Sequence, residues 1–204
     1  MSRLCGRGVY VITDGPRDDL VAAVRAALAG GARLVQYRDK GTDTDRRRRE
    51  AAELVALCRS HRVPLIVNDD IELAASAGAA GVHLGAGDAS IGDARARLGA
   101  DAIIGVSCYG SIERARQRAA EGADYLAFGA FFPSPTKPAA PRARTGVLGE
   151  ARALGVPVVA IGGITADNAR LLVDAGADYL AVISAVFGAD DIESATRRLA
   201  SLFP

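Results

Sequence analysis

Eight times over, this chain sets a short run of apolar, β-branched residues beside a longer alanine-rich segment with one apolar stripe. No other feature restricts its fold as much. The short runs are Val9–Thr13, Leu34–Tyr37, Leu65–Val67, Gly81–Leu84, Ala102–Val106, Tyr125–Phe128, Val158–Ile161 and Tyr179–Ile183. Most are apolar at successive positions, the pattern of parallel strands covered on both faces. Helical spacing fills the intervals. Leu20, Val21, Val24 and Leu28 form a stripe closed by Gly30-Gly31, and Leu54, Val55 and Leu57 lie on a second. Further helical segments run through Ile71–Ala77, Ala89–Leu98, Ser111–Glu121, Thr145–Leu154, Ala166–Ala175 and Ile192–Leu202. An internal echo supports the count: EGADYLAFG at 121–129 and AGADYLAVI at 175–183 are nearly one phrase, and AGAAGVHLG at 77–85 is a looser copy.

Eight β–α units most simply close into a (β/α)8 TIM barrel, here one α/β domain over residues 1–204 and shorter than the ~250 residues typical of that fold. A doubly wound open sheet is the competing topology. It lacks its usual nucleotide signatures, since no GxGxxG follows the first run and no GxxxxGK[ST] occurs.

Bulk chemistry removes several classes of partner. A net charge of +1 supplies no general attraction to nucleic acid or a membrane surface. Cys5, Cys58 and Cys108 form no CxxC, and two histidines are too few for the usual zinc sites. No charged-then-apolar leader is seen and no run approaches the ~20 apolar residues of a bilayer span, so a reducing cytoplasm is the expectation. The charge run Arg46–Arg49 reads as a solvated helix face paired at i,i+4 with Glu50 and Glu53. Alanine-rich outer helices would suit a homodimer.

In such a barrel, chemistry gathers where the strands finish. The second run is followed by Gln36, Tyr37, Arg38, Asp39 and Lys40, and the third by Asn68, Asp69 and Asp70. Asp88 lies beyond the fourth and Ser107 ends the fifth. The sixth breaks into a proline-stiffened loop, 129–142, carrying Ser134, Pro135, Thr136 and Lys137 and resembling either an anion clamp or a plain surface loop. Gly162-Gly163 then leads toward a helix start marked by Thr165, and Ser184 follows the eighth run; this arrangement suits a phosphate monoester. Asp69 and Asp88, near Arg38, Lys40 and Lys137, suit a pyrophosphate with Mg²⁺, although two aspartates alone also read as turn or capping residues. His61, near a helix end, reads as structural, and His83 reads as a packed strand residue rather than a pocket residue. Cys108 has no nearby base to make it a nucleophile.

The motifs VQYRDK (35–40), LIVNDD (65–70), GVHLGAGD (81–88), IIGVSCYG (103–110), YLAFGAFFPSPTK (125–137), VVAIGGIT (158–165) and AVISAVFG (181–188), in this order and spacing, resemble the thiamine phosphate synthases. That family is a (β/α)8 barrel joining a pyrimidinylmethyl pyrophosphate to a thiazole phosphate, with Mg²⁺ and release of pyrophosphate. The resemblance implies that Gln36, Tyr37, Arg38, Asp39, Lys40, Asn68, Ser107 and Lys137 hold the pyrimidine pyrophosphate. It further implies that Asp69 and Asp88 ligate Mg²⁺, and that Ser134, Pro135, Thr136, Gly163, Ile183 and Ser184 hold the thiazole phosphate. Lys137, Arg38 and Lys40 would stabilise the leaving group, with no general base. Two departures stand out: Tyr109 replaces a histidine common two residues after the GVS serine, and Ala86 replaces a common glutamine. Two other readings compete, a thiazole tautomerase of the same superfamily and a non-catalytic phosphate-binding regulator.

Overall fold

The computed structural model describes residues 4, 6–133 and 141–203. Its strands are β1 (Gly8–Ile12), β2 (Ala32–Tyr37), β3 (Leu65–Asn68), β4 (Gly81–Leu84), β5 (Ile103–Tyr109), β6 (Tyr125–Phe128), β7 (Val158–Ile161) and β8 (Tyr179–Val182). All pair in parallel, each with its neighbour in sequence, and β8 pairs with β1 to close the barrel. Helices α1 (Leu20–Ala29), α2 (Thr44–Ser60), α3 (Ile71–Ala77), α4 (Ile91–Leu98), α5 (Ile112–Ala120), α6 (Gly146–Arg152) and α7 (Ala169–Asp174) follow the first seven strands, and α8 (Ser184–Phe187) and α9 (Ile192–Ala200) follow the last. The (β/α)8 expectation holds. Among the described residues, no helix is long and apolar enough to cross a membrane.

Strand alternation sorts the core into two shells. Tyr10, Ile12, Leu34, Ile66, Ile103, Tyr125, Val159 and Tyr179 point inward and fill the barrel. Their neighbours Val9, Val11, Val35, Tyr37, Leu65, Val67, Val82 and Leu84 point outward and meet the helices. On α1 the buried positions are Leu20, Ala23, Val24, Ala27 and Leu28, the 3.6-residue stripe that covers this outer face. The interior position opposite Tyr125 is Gly105, where any Cβ would collide with the tyrosine ring. The missing side chain gives the ring its place across the barrel.

The repeated GADY phrase has a structural cause. Asp124 and Asp178, one residue before β6 and β8, accept the backbone N–H groups of Ile104 and Val158 on the preceding strands, each at 2.9 Å. Arg95 adds a bond to Asp124 at 2.8 Å. The tyrosine after each aspartate then turns inward. These pegs lie at the amino-terminal floor of the barrel.

Several bounds shift from the sequence expectation, and three differences bear on the rim. β5 runs on to Tyr109, because a register shift between Ser107 and Tyr109 lets Tyr109 pair with Phe128. α7 begins at Ala169, not Ala166: the Asn168 carboxamide accepts the Thr165 N–H at 2.9 Å and donates to the Gly163 carbonyl at 3.0 Å, which holds the approach as a turn. Thr165 is therefore no helix cap. The short helix α8, which starts at Ser184, was not anticipated.

Candidate active site

A cavity of about 800 Å³ opens at the carboxyl ends of the strands. Alternation decides which rim residues reach it. Gln36, Arg38 and Lys40 line the cavity, as do Asn68 and Ser107. Tyr37 and Asp39, on the opposite parity, turn outward. The Tyr37 hydroxyl donates to Glu50 at 2.6 Å, and the buried Asp39 carboxylate meets Arg46 at 2.6 Å. Neither lines the cavity, so the continuous 36–40 set divides into three inward groups and two outward ones. Gly163, Ile183 and Ser184 line the wall built by β7 and β8. Ser134, Pro135, Thr136 and Lys137 lie outside the described residues.

Asp69 and Asp88 come together at the cavity, close enough for each carboxyl to shift the other's protonation. The Lys40 Nζ lies 2.9 Å from Asp69 Oδ2, and Asp88 accepts the Gly85 N–H at 2.6 Å. Asp69 reaches this position from a left-handed backbone, φ 61°, which aspartate tolerates better than most residues. Burial pushes both carboxyls up. At Asp69 the Lys40 ammonium and the neighbouring Asp88 carboxyl outweigh burial and hold the group below the usual aspartate value. At Asp88 the Gly85 amide works against burial, but burial and the Asp69 charge keep that group raised. Two carboxylates beside one ammonium leave net negative charge and only oxygen donors. Such a set suits a hard divalent cation whose other positions are filled by water and phosphate oxygens. Among the described residues, no cluster of three or more His, Cys, Asp or Glu side chains offers a protein-only cage.

His83 corrects its reading as a packed strand residue: it points inward and lines the cavity. Its Nδ1 lies 2.9 Å from the Tyr125 hydroxyl and its Nε2 2.9 Å from Ser107 Oγ. The Tyr125 hydroxyl meets that of Tyr10 at 2.8 Å, and the Gln36 amide donates to Tyr10 at 2.6 Å. Five side chains from five strands thus form one hydrogen-bonded chain beneath the cavity. Burial raises the pKa of both phenols, so they stay neutral. Parity was the available signal for Tyr10, His83 and Tyr125, since each alternates with outward neighbours. Cys108 points outward, and burial pushes its thiol up to about 12, which removes it as a nucleophile. His61 caps the end of α2 and does not line the cavity. Tyr109, 46% exposed, and Ala86 both line the cavity mouth.

The charge run on α2 keeps its expected i,i+4 pair, Arg46 with Glu50 at 3.0 Å, but only part of it is a solvated face. Arg48 is 67% exposed and pairs with Asp45, as a solvated face should, but Arg46 and Arg47 lean inward to Asp39 and Asp70.

On the carboxyl rim, then, a cationic and acidic corner from β2–β4 shares one cavity with a glycine-rich corner from β7–β8. The family model described as thiamine monophosphate synthase matches residues 9–186. The chain belongs to the thiamine monophosphate synthase family. Membership places it among the transferases. Thiamine-phosphate synthases from Thiobacillus denitrificans and Chromobacterium violaceum are each 57% identical to it, over 96% of this chain and 94% and 96% of theirs. The solved thiamine phosphate pyrophosphorylase from Pyrococcus furiosus superposes with a TM-score of 0.86 at 38% identity, covering 96% of this chain and 94% of that one.

Proposed function

We propose that this family member couples 4-amino-2-methyl-5-(diphosphooxymethyl)pyrimidine to a thiazole ethyl phosphate, giving thiamine phosphate and pyrophosphate. The observation that carries the reading is the pairing of two unlike anion corners within one cavity of about 800 Å³. Arg38, Lys40 and the Asp69–Asp88 pair face a pyrophosphate, while Gly163 and the start of α8 at Ser184 face a monophosphate. Mg²⁺ held by Asp69 and Asp88 would neutralise part of the pyrophosphate charge and so ease its departure.

The bond between the pyrimidine methylene carbon and the pyrophosphate oxygen breaks first, and its electron pair leaves with the oxygen. Arg38 and Lys40 meet the negative charge that grows there, and Lys137 joins them on the strength of the family resemblance. Electron release from the ring amino group stabilises the remaining cation. The thiazole nitrogen then donates its free lone pair to the methylene carbon. No proton leaves that nitrogen, so the step needs no general base, and the walls need only hold the two rings in line. Gln36 and Ser107, fixed by the chain through Tyr10, Tyr125 and His83, supply polar groups to the cavity wall.

One assay tests the proposal. Pyrophosphate release is followed with each substrate alone and both together, with and without Mg²⁺. Release only with both substrates, stopped by EDTA, is expected. Turnover of the thiazole phosphate alone without pyrophosphate would indicate a tautomerase, and tight binding of both substrates without product would indicate a binding protein.

A further inference from the structure

Arg46 and Arg47, successive residues in the first turn of α2, each grip a carboxylate in a different rim loop. The Arg46 guanidinium spans two acids, Asp39 Oδ2 at 2.6 Å and Glu50 at 3.0 and 3.1 Å. Asp39 Oδ1 accepts the Gly41 N–H at 2.7 Å, so one fully buried carboxylate ties the helix to the loop after β2. The Tyr37 hydroxyl, bonded to Glu50, closes the same group from the strand side. Arg47 Nη2 lies 3.0 Å from Asp70 Oδ2, and Asp70 Oδ1 caps α3 through the Leu73 N–H at 2.9 Å.

The gripped residues alternate with the working ones. Asp39 stands between Arg38 and Lys40, and Asp70 follows Asp69. In an extended chain, pulling one side chain outward turns its neighbours inward. Holding Asp39 outward therefore aims Arg38 and Lys40 into the cavity. Holding Asp70 outward fixes the loop on which Asp69 adopts its φ of 61° toward Lys40 and Asp88. Both loops are short and polar, with Lys40 64% exposed, so apolar packing cannot hold them in register. An arginine fork satisfies two carboxylates at fixed angles, which a lysine cannot do.

We propose that Arg46 and Arg47 are positioning residues that clasp the pyrophosphate corner from behind, Arg46 aiming Arg38 and Lys40 and Arg47 aiming Asp69. The identity of the ligand in that corner rests on the function proposed above.

The test separates the two substrates. Arg46→Ala is expected to raise KM for the pyrimidine pyrophosphate about tenfold, with KM for the thiazole phosphate changed less than about twofold, the scale on which such supporting contacts act. Arg46→Lys, which keeps the charge and loses the fork, should recover only part of that loss. Arg47→Ala should raise the half-saturating Mg²⁺ concentration about fivefold. Should Arg46→Ala fail to fold, Asp39→Asn breaks the same pair and is read by the same ratio. Calorimetry of inorganic pyrophosphate with Mg²⁺ on wild type and variants gives a second readout, independent of turnover. A wild-type protein that binds pyrophosphate yet makes no product would refute the function, while the calorimetric ratio would still decide the clasp. Parallel rises in both KM values, or a lowered melting temperature with pyrophosphate affinity unchanged, would overturn it.

Discussion

The barrel uses aspartates at both of its ends, and the two ends treat them in opposite ways. On the floor, Asp124 is 4% exposed and fully engaged by the Ile104 N–H and Arg95, and Asp178 accepts the Val158 N–H. On the rim, Asp69 and Asp88 face each other, with the Lys40 ammonium as the cation beside them. Donors from the chain itself make a carboxylate a peg. A carboxylate set against a second carboxylate, with one exposed ammonium beside the two, is arranged for something that arrives later. The contrast is one of pairing, since both kinds of residue sit at strand boundaries.

Substitutions at each end can break that contrast. On the rim, Lys137→Ala should lower kcat by about 10²–10³-fold with a smaller rise in KM, because the charge it meets develops during bond breaking. Unchanged turnover would remove Lys137 from the mechanism. Asp69→Ala should cost about 10²-fold in kcat/KM while leaving thermal stability nearly intact, and a large fall in Tm would make Asp69 a peg after all. On the floor the pattern should invert. Asp124→Ala removes the acceptor of the Ile104 N–H and the carboxylate partner of Arg95, costing about 2–3 kcal/mol, or about 5–10 °C in Tm, with kcat per folded molecule unchanged.

Tyr125 lies at the seam. Tyr125→Phe keeps the ring in its slot but cuts the bonded chain between Tyr10 and His83. It should therefore move both readouts a little, about 1–2 kcal/mol in stability and a severalfold loss in kcat/KM. The smallest effect concerns pH. Asp88 is raised above the ordinary aspartate value of 3.8, so the folded protein holds a proton that the unfolded chain releases. This costs stability as pH climbs from 3.8 through the raised value, and the full penalty persists at neutral pH. Asp88→Asn should thus raise Tm of the metal-free protein by about 1–2 °C at neutral pH, a gain that vanishes below the unfolded aspartate value; calorimetric melts across that range check the sign.

The strands were legible because most are apolar at successive positions and are stopped by glycine, proline or a polar cluster. β4, β6 and β7 match their expected bounds, and β5 ran past its own only because a register shift is invisible in composition. Gln36, Arg38, Asn68, Asp69, Asp88, Ser107, Gly163 and Ser184 could be placed at the cavity because polar residues at strand ends have few other homes. Tyr37 and Asp39 could not be separated from Arg38 and Lys40 by motif alone, since a family motif is contiguous and side-chain direction alternates. His83 failed for a related reason. Its apolar neighbours suggested packing, whereas the same parity that buries Val82 and Leu84 turns the imidazole inward. The inward lean of Arg46 and Arg47 depends on partners 7 and 23 residues away in Asp39 and Asp70, a tertiary fact that helical i,i+4 spacing does not encode.

The empty Cβ position at Gly105 has a reach well beyond its own strand. By making room for the Tyr125 ring inside the barrel, it lets one phenol brace both Tyr10 and His83, and through His83 a wall of the cavity. Replacing that phenol by a smaller group would unhook the imidazole from its support. Redesign toward bulkier guests is therefore better begun at the mouth, where Tyr109 and Ala86 stand clear of the tyrosine brace.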